Sequence, residues 1–196
     1  MEEQKGMKEH SMKTVIFNGA PRKEGDTAFL VDRLVNLLPG EVQVFSAYRE
    51  KITACQDCRY CCTHVGCCIA DDMQKIYPQI VQADNIVIAS PVYFSELTGP
   101  LLSMLSRLQA FYGSRRFLQI EQITKPKRGG LILCGGGDGE PGNAQETAAI
   151  LLQMMNASLC QRVCSLRTDT LPSREDEEAL RRTHQLAKLL QERRAE

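Results

Sequence analysis

Residues 13–27 read KTVIFNGAPRKEGDT and begin with a short apolar run that is rich in β-branched side chains. A loop with glycine at positions 19 and 25 follows this run. Apolar residues then recur at helical spacing from Phe29 to Leu38. This succession predicts a strand, a loop and a helix, and it is the first of five such units along the chain.

The other four units predict the remaining strands of a sheet. The strands are expected at 41–46, 85–90, 130–134 and near 160–166, and the later helices at 73–81, 97–112, 143–156 and near 173–194. Strands that are apolar almost throughout are typical of a parallel sheet that helices cover on both faces. The sequence therefore predicts an α/β fold, a flavodoxin-like three-layer sandwich whose five-stranded parallel sheet has the order 2-1-3-4-5.

In such a sheet, ligands bind beyond the carboxyl ends of the strands, where the strand order reverses. This rule places three loops together, at 18–27, 90–95 and 134–140. The first loop has glycines for close backbone approach, Arg22 as a cation and Thr27 as a hydroxyl donor, in front of a helix N-terminus. It matches neither the Walker motif nor the dinucleotide glycine motif, so a phosphate site and an ordinary turn are both open interpretations.

The other two loops carry weaker signals. Tyr93 and Phe94 follow the third strand, where aromatic rings either pack beside a planar ligand or fill the core. Residues 135–139 read GGGDG, a run that permits close approach to a ligand or forms a flexible turn. The sequence of neither loop distinguishes a ligand site from a purely structural role.

Six of the nine cysteines fall between residues 55 and 68. Four of them, Cys55, Cys58, Cys61 and Cys67, have the spacing C-x2-C-x2-C-x5-C, which turns several thiolates toward one centre. Successive three-residue steps favour a [4Fe-4S] cluster, whereas zinc sites usually use two separated ligand pairs. Zinc and a loop without any metal remain the alternatives, and Cys62 and Cys68 are spare thiols that can replace a neighbour. The remaining three, Cys134, Cys160 and Cys164, lie on predicted strands and are expected to be inert core thiols.

Composition excludes several classes of function. The 24 basic residues equal the 24 acidic ones, so net charge favours neither nucleic acid nor an anionic membrane as a partner. No window approaches the about 18 consecutive apolar residues of a membrane span, and the polar start is unlike a secretory signal. We expect a soluble, cytoplasmic protein with one domain at 13–196 and a disordered extension at 1–12.

In this order, the motifs resemble those of the NADPH-dependent FMN reductase group of the flavodoxin-like superfamily, and in particular its iron-sulfur flavoproteins. The group's pattern G-S-P-R-x-x-G-N-T is similar to residues 19–27, and its S-P-V-Y-F/W loop to residues 90–94. Its C-x2-C-x2-C-x(4 to 7)-C pattern, followed by I-x-D-D-M, is similar to the four cysteines and residues 69–73. The likeness covers about residues 13–140.

The resemblance implies an FMN-dependent oxidoreductase with NAD(P)H as co-substrate. It implies that the first loop binds the FMN phosphate and that the isoalloxazine lies against the loops after strands three and four. The cofactor-binding residues that it implies are Asn18, Ala20, Arg22, Gly25, Asp26, Thr27, Pro91, Val92, Tyr93, Phe94, Ser95, Gly135, Gly136 and Gly137. Ala20 and Asp26 depart from the group's serine and asparagine, so either the Asp26 carboxylate points away from the phosphate or FMN binds more weakly.

The resemblance also implies a [4Fe-4S] cluster on Cys55, Cys58, Cys61 and Cys67 as a one-electron relay, and a homodimer or higher homo-oligomer built partly on the helix at 97–112. The expected partners are a small-molecule or protein electron donor and acceptor, without nucleic acid or membrane. No acid–base catalytic residue is predicted. The alternative functions are a reductase whose cysteines hold no cluster, a non-enzymatic electron carrier and a zinc-stabilised interaction module.

Overall fold

A sheet of five parallel strands lies at the centre of the computed structural model, which describes residues 11–137 and 140–192. The strands are β1 (Lys13–Asn18), β2 (Glu41–Ser46), β3 (Asn85–Pro91), β4 (Lys127–Gly135) and β5 (Ala157–Leu166). The helices are α1 (Asp26–Leu37), α2 (Met73–Gln82), α3 (Gly99–Leu105), α4 (Gln109–Phe117), α5 (Gly142–Met154) and α6 (Glu177–Gln191). Short 3-10 turns lie at Tyr60–Cys62 and Ser106–Leu108.

The strand order is β2-β1-β3-β4-β5, which confirms the predicted flavodoxin-like topology. Successive side chains of each strand point to opposite faces, so each apolar strand supplies two cores. On one face, Phe17 and Ile88 pack with apolar residues of α2, α3, α4 and α5. On the other face, Ile16 and Val87 pack with apolar residues of α1 and α6. These two cores make the three layers and hold the carboxyl ends of the strands at one edge.

The single helix predicted at 97–112 is interrupted in the structure. Helix α3 ends at Leu105, the turn Ser106–Leu108 follows, and α4 continues to Phe117. Ser106 lies in this turn, where its hydroxyl donates to the Ser103 carbonyl at 2.6 Å and accepts from the Cys55 amide at 2.9 Å. The interruption therefore joins this segment to the cysteine loop, which the apolar pattern alone does not reveal.

Other boundaries differ by a few residues. Strand β5 begins at Ala157 rather than near Cys160, because a register shift at Gly129 and Gly130 lets it pair along the whole of β4. Helix α6 begins at Glu177 rather than near Ser173, since the Asp176 carboxylate accepts the Ala179 amide and caps the helix there.

Most of the extension expected at 1–12 lies outside the described residues. Met12 is described, and its carbonyl accepts the Glu41 amide at 2.9 Å beside β1. Among the residues that the structure covers, no helix combines the length and the apolar character that a bilayer crossing needs.

Candidate functional site

The loop between β1 and α1 is held tightly on its inner side. The Ala20 amide donates to Asn18 Oδ1 at 2.8 Å, and the Gly19 carbonyl accepts the Thr98 hydroxyl at 3.0 Å. A Cβ atom on Gly19 would lie 2.7 Å from Thr98 Oγ1 and 2.9 Å from Leu101 Cδ2. Close packing against the start of α3 therefore requires glycine at position 19, and it fixes the path of the loop.

The outer side of this loop has the features of an anion site. Gly25 precedes α1, and among the described residues no side chain forms a cap hydrogen bond at this end of the helix. These amides and the helix dipole favour an anion at this end. The Arg22 side chain lies against Gly25, where a Cβ atom would be 3.3 Å from Arg22 Nε, and Thr27, the second residue of α1, is buried. The amides and the cation together suit a phosphate.

Asp26 is tied to a different part of the chain. One oxygen of its carboxylate accepts the Ser173 amide at 2.8 Å, in the turn that precedes α6. This contact favours the interpretation in which the carboxylate is turned from the phosphate, although the residue still borders the cavity described next. The same turn carries a buried relay of hydroxyls, in which Ser173 donates to Ser165 at 2.9 Å and Ser165 donates to Asp176 at 2.8 Å.

A cavity of about 170 Å³ opens beyond the carboxyl ends of β1, β3 and β4. Its walls come from all three predicted loops and from the turn after β5. The lining residues are Ala20, Pro21, Arg22, Gly25, Asp26, Thr27, Pro91, Val92, Tyr93, Cys134, Gly136, Thr168 and Asp169. Of the candidates named above, Asn18, Phe94, Ser95, Gly135 and Gly137 are not among its walls.

Sequence reasoning missed Thr168 and Asp169. The Thr168 amide donates to the Gly135 carbonyl at 2.9 Å, and the Asp169 carboxylate lies so close to Gly136 that a Cβ there would be 2.6 Å from both oxygens. Both residues follow β5, the neighbour of β4. Ligands in such sheets bind beyond the carboxyl ends of the strands, and this rule applies to the end of β5 as well. It could have predicted both residues.

The loop after β3 carries two aromatic residues, of which Tyr93 lines this cavity. Tyr93 and Glu96 exchange backbone hydrogen bonds of 2.9 and 3.0 Å, and Phe94 and Ser95 between them have φ of +53° and +64°. Left-handed backbone at two such residues is strained. Tyr93 is 46% exposed and Phe94 is fully exposed, so the interpretation that they fill the core is wrong. Both rings remain available to a planar ligand.

Cys134 is the thiol nearest to this cavity, and it is buried as predicted. Burial raises the pKa of Cys134 to about 11, even though hydrogen bonds with Thr27 and Ser173 favour the thiolate. The thiol is therefore protonated at neutral pH and unreactive.

The cysteine loop borders a second cavity, of about 250 Å³, between the loop and α4. The cysteines among its walls are Cys55, Cys58, Cys61, Cys62 and Cys67. The four predicted ligands thus share one cavity. Cys68 is not among its walls, and its sulfur lies 3.5 Å from that of Cys58. All nine cysteines are free thiols in the structure.

Gly113 lets α4 approach the cysteine loop. A Cβ atom on Gly113 would lie 2.8 Å from both the carbonyl oxygen and the sulfur of Cys61. The helix was expected to end at residue 112, but α4 continues past Gly113 to Phe117. The role of Gly113 is to make room for Cys61 against the helix.

Arg107 closes the base of the cysteine loop. Its side chain is fully buried, and Nη1 lies 2.6 Å from Asp71 Oδ2. Burial alone would raise the pKa of Asp71, but the Arg107 guanidinium and the amides of Thr53 and Met73 outweigh it and hold the pKa below its usual value. The carboxylate and the guanidinium are therefore both charged at neutral pH.

Among the described residues, none lines both cavities. Within the described ranges, no three side chains of His, Cys, Asp or Glu are grouped as a site for a single metal ion. Five cysteines are among the 16 residues that line the cavity of about 250 Å³. The described residues thus form a cavity at the strand ends and a second cavity lined in part by thiols.

Comparison with known proteins adds the family context. The sequence profile of the NADPH-dependent FMN reductases matches residues 12–169. An iron-sulfur flavoprotein of Methanocaldococcus jannaschii is 35% identical over 133 residues, which are 65% of this chain and 63% of that protein. The chain therefore spans less than two thirds of the length of this curated relative.

Solved structures show the same fold at low identity. An NAD(P)H:quinone oxidoreductase from Methanothermobacter marburgensis superposes with a TM-score of 0.74 at 15% identity, over 95% of this chain and 100% of that one. An FMN-dependent NADH-azoreductase from Bacillus anthracis, solved in complex with FMN, gives 0.68 at 14% identity, over 92% and 100% of the two chains.

Proposed function

The chain belongs to the NADPH-dependent FMN reductase family, and on this premise we propose that it is an FMN-dependent oxidoreductase that takes reducing equivalents from NAD(P)H. One observation carries the proposal. The N-terminus of α1, Arg22 and Thr27 meet at a cavity that Tyr93 also lines, and the exposed Phe94 follows Tyr93 in the same loop. A phosphate with an attached planar ring matches that pairing of features.

We assign different parts of FMN to different residues in and near the cavity. The α1 amides, Arg22 and Thr27 hold the phosphate, and Tyr93 and Phe94 cover the ring. Asp169, whose carboxylate lies against Gly136, presents an acceptor to the polar part of the ligand. Bound FMN supplies both two-electron and one-electron chemistry, and the protein supplies orientation and exclusion of water.

We further propose that Cys55, Cys58, Cys61 and Cys67 hold an iron-sulfur cluster of the [4Fe-4S] type. Three observations support it: the four thiols line one cavity, that cavity exceeds the size of a single ion, and the curated relative is named an iron-sulfur flavoprotein. We choose Cys67 rather than Cys68 as the fourth ligand, because Cys67 lines the cavity and Cys68 does not; Cys62, which also lines it, stays a spare thiol. A cluster supplies one-electron transfer, for which a flavin is a suitable neighbour.

The proposal includes a homodimer or higher homo-oligomer. The apolar residues of 97–108 face the core, so they do not offer a surface to a partner. Exposed apolar side chains instead line the cysteine cavity, namely Tyr60, Tyr112 and Phe117. Light scattering on the purified protein should give a mass of at least two chains, and a monomer at all concentrations would contradict this part.

The free thiols and the cluster fit the reducing cytoplasm, where we place the protein.

The test uses protein purified without oxygen and reconstituted with FMN, iron and sulfide. We expect bound flavin, stoichiometric iron and acid-labile sulfide, and bleaching of the flavin absorbance on addition of NADPH or NADH. Arg22→Gln should weaken FMN binding about tenfold or more, because a charge-assisted contact is lost. If neither NADPH nor NADH reduces the bound flavin, the reductase proposal is wrong and the protein is better described as an electron carrier. Stoichiometric zinc without sulfide would refute the cluster.

A further inference from the structure

Arg107 is a buried cation in the wall of the cysteine cavity, and the proposed electron transfer has so far given it no role. Burial of a guanidinium is costly unless its N–H groups find acceptors. Nη1 donates to the Thr53 carbonyl at 2.8 Å and to Asp71 at 2.6 Å. Nη2 donates to the Ile69 carbonyl and to the Cys67 sulfur, both at 3.3 Å. A buried arginine side chain thus forms several hydrogen bonds with this loop.

These contacts have two consequences. The carbonyls of Thr53 and Ile69 lie on either side of the cysteine loop, so Arg107 holds its two ends together. The contact with Cys67 is different in kind, because it places a charged N–H donor directly on one of the four proposed ligand atoms. Nε of Arg107 is also buried and has no hydrogen-bond partner among the described residues. A loop clamp alone does not require a donor on a ligand sulfur.

We propose that Arg107 sets the reduction potential of the cluster by donating a hydrogen bond to the Cys67 sulfur. The inference rests on the proposed function, since it requires a cluster on these cysteines. Reduction adds one electron to the cluster and makes its thiolate ligands more negative. A donor on a ligand sulfur stabilises the reduced form more than the oxidised form, so it raises the potential. No proton moves, because the guanidinium stays charged throughout.

Asp71 sets the size of this effect. Its carboxylate lies 2.6 Å from Nη1 and is also held by the Thr53 amide at 2.9 Å and the Met73 amide at 3.0 Å. The carboxylate therefore cancels much of the charge of Arg107. The effect that remains on the Cys67 sulfur comes mainly from the N–H group that points at it. Removal of the acid charge and removal of the guanidinium should move the potential in opposite directions. A role in loop closure alone predicts no such opposition.

The experiment is a redox titration of the FMN-loaded, cluster-reconstituted chain, with the reduced cluster followed by electron paramagnetic resonance. In Arg107→Gln, the ratio of reduced to oxidised cluster at a fixed potential should fall about tenfold, which is about 59 mV for a one-electron couple. Arg107→Lys should recover part of the loss, because it restores a charged donor. Asp71→Asn should shift the ratio toward the reduced form.

Arg59→Gln is the matched control. Arg59 also borders the cavity, but its side chain is 72% exposed and solvent screens its charge. The same loss of one positive charge should therefore change the potential much less. A second readout is the Fe–S(Cys) stretching band in resonance Raman spectra, which should shift in D₂O for the wild-type chain and lose that shift in Arg107→Gln.

Three results would overturn the inference. They are an unchanged potential in Arg107→Gln at full iron content, shifts of the same sign in Arg107→Gln and Asp71→Asn, and a D₂O shift that survives in Arg107→Gln. If Arg107→Gln holds no cluster, the reduction potentials of Arg107→Lys and Asp71→Asn test the inference instead. If the wild-type chain holds no iron and sulfide, the inference fails with the cluster, while NADPH-driven flavin bleaching in the same sample tests the reductase separately.

Discussion

Asp26 shows how one side chain can serve the fold at the expense of a ligand. Its carboxylate accepts the Ser173 amide, yet the residue borders the cavity in which we place the FMN phosphate. An asparagine at this position keeps an acceptor for Ser173 and loses the negative charge. The contact with Ser173 joins residues far apart in the chain, so the sequence left both orientations of Asp26 open.

We predict that Asp26→Asn binds FMN about fivefold more tightly. Removal of one like charge near a phosphate at the protein surface is worth on the order of 1 kcal/mol. Asp32→Asn is the control, because Asp32 lies exposed on the same helix and changes the net charge equally. Fluorescence titration of free FMN measures both variants. Weaker binding in Asp26→Asn alone would show that the contact with Ser173 needs the charge.

At the scale of single elements, the strands and most helices follow from apolar periodicity, and the structure confirms their order. The segment from α3 to α4 does not. Its buried apolar residues belong to one core, as a single amphipathic helix predicts, but Ser106 and Arg107 turn polar groups toward the cysteine loop. Such contacts depend on where a distant loop packs, and periodicity within the segment contains no information about that.

Helix α4 provides an element-scale prediction through Gly113. We expect Gly113→Ala to push Cys61 out of place, because the new Cβ would lie 2.8 Å from its carbonyl oxygen and its sulfur. Such overpacking typically costs about 1–3 kcal/mol, so the free energy of unfolding should fall by that amount and iron content should fall with it. Iron and sulfide analysis after reconstitution, with circular dichroism to monitor the fold, measures the two effects.

Gly99→Ala is the matched control for this prediction, since a Cβ atom on Gly99, at the start of α3, meets nothing within 4 Å. It should keep its iron and its stability. Full iron content in Gly113→Ala would mean that the cysteine loop tolerates a displaced Cys61.

At the scale of the whole molecule, stability at alkaline pH depends on Lys127, which is fully buried at the start of β4. Burial, with Lys125 nearby, lowers the pKa of Lys127 to about 8. The unfolded chain keeps a lysine pKa of about 10.4, so it binds more protons than the folded chain between these two values. The free energy of unfolding therefore gains a contribution of about 2–3 kcal/mol as pH rises from about 8 to about 10.4.

Lys127→Met should abolish this contribution. The difference in the free energy of unfolding between the wild-type chain and Lys127→Met should change by about 2–3 kcal/mol in favour of the wild-type chain over that pH range. Denaturant unfolding at several pH values measures it. Cysteines and tyrosines that titrate in the same range cancel in the difference. A pH-independent difference would mean that Lys127 has an ordinary pKa in the folded chain.

The separate walls of the two cavities have a consequence for how the protein matures. Since no described residue lines both cavities, we expect FMN and the proposed cluster to be inserted or lost independently of each other. A chain in which Cys55, Cys58, Cys61 and Cys67 are all serine should still take up FMN with nearly unchanged affinity, as equilibrium dialysis would show. Oxygen that destroys the cluster would then leave a yellow, folded protein that iron and sulfide can repair in place, without new synthesis of the chain.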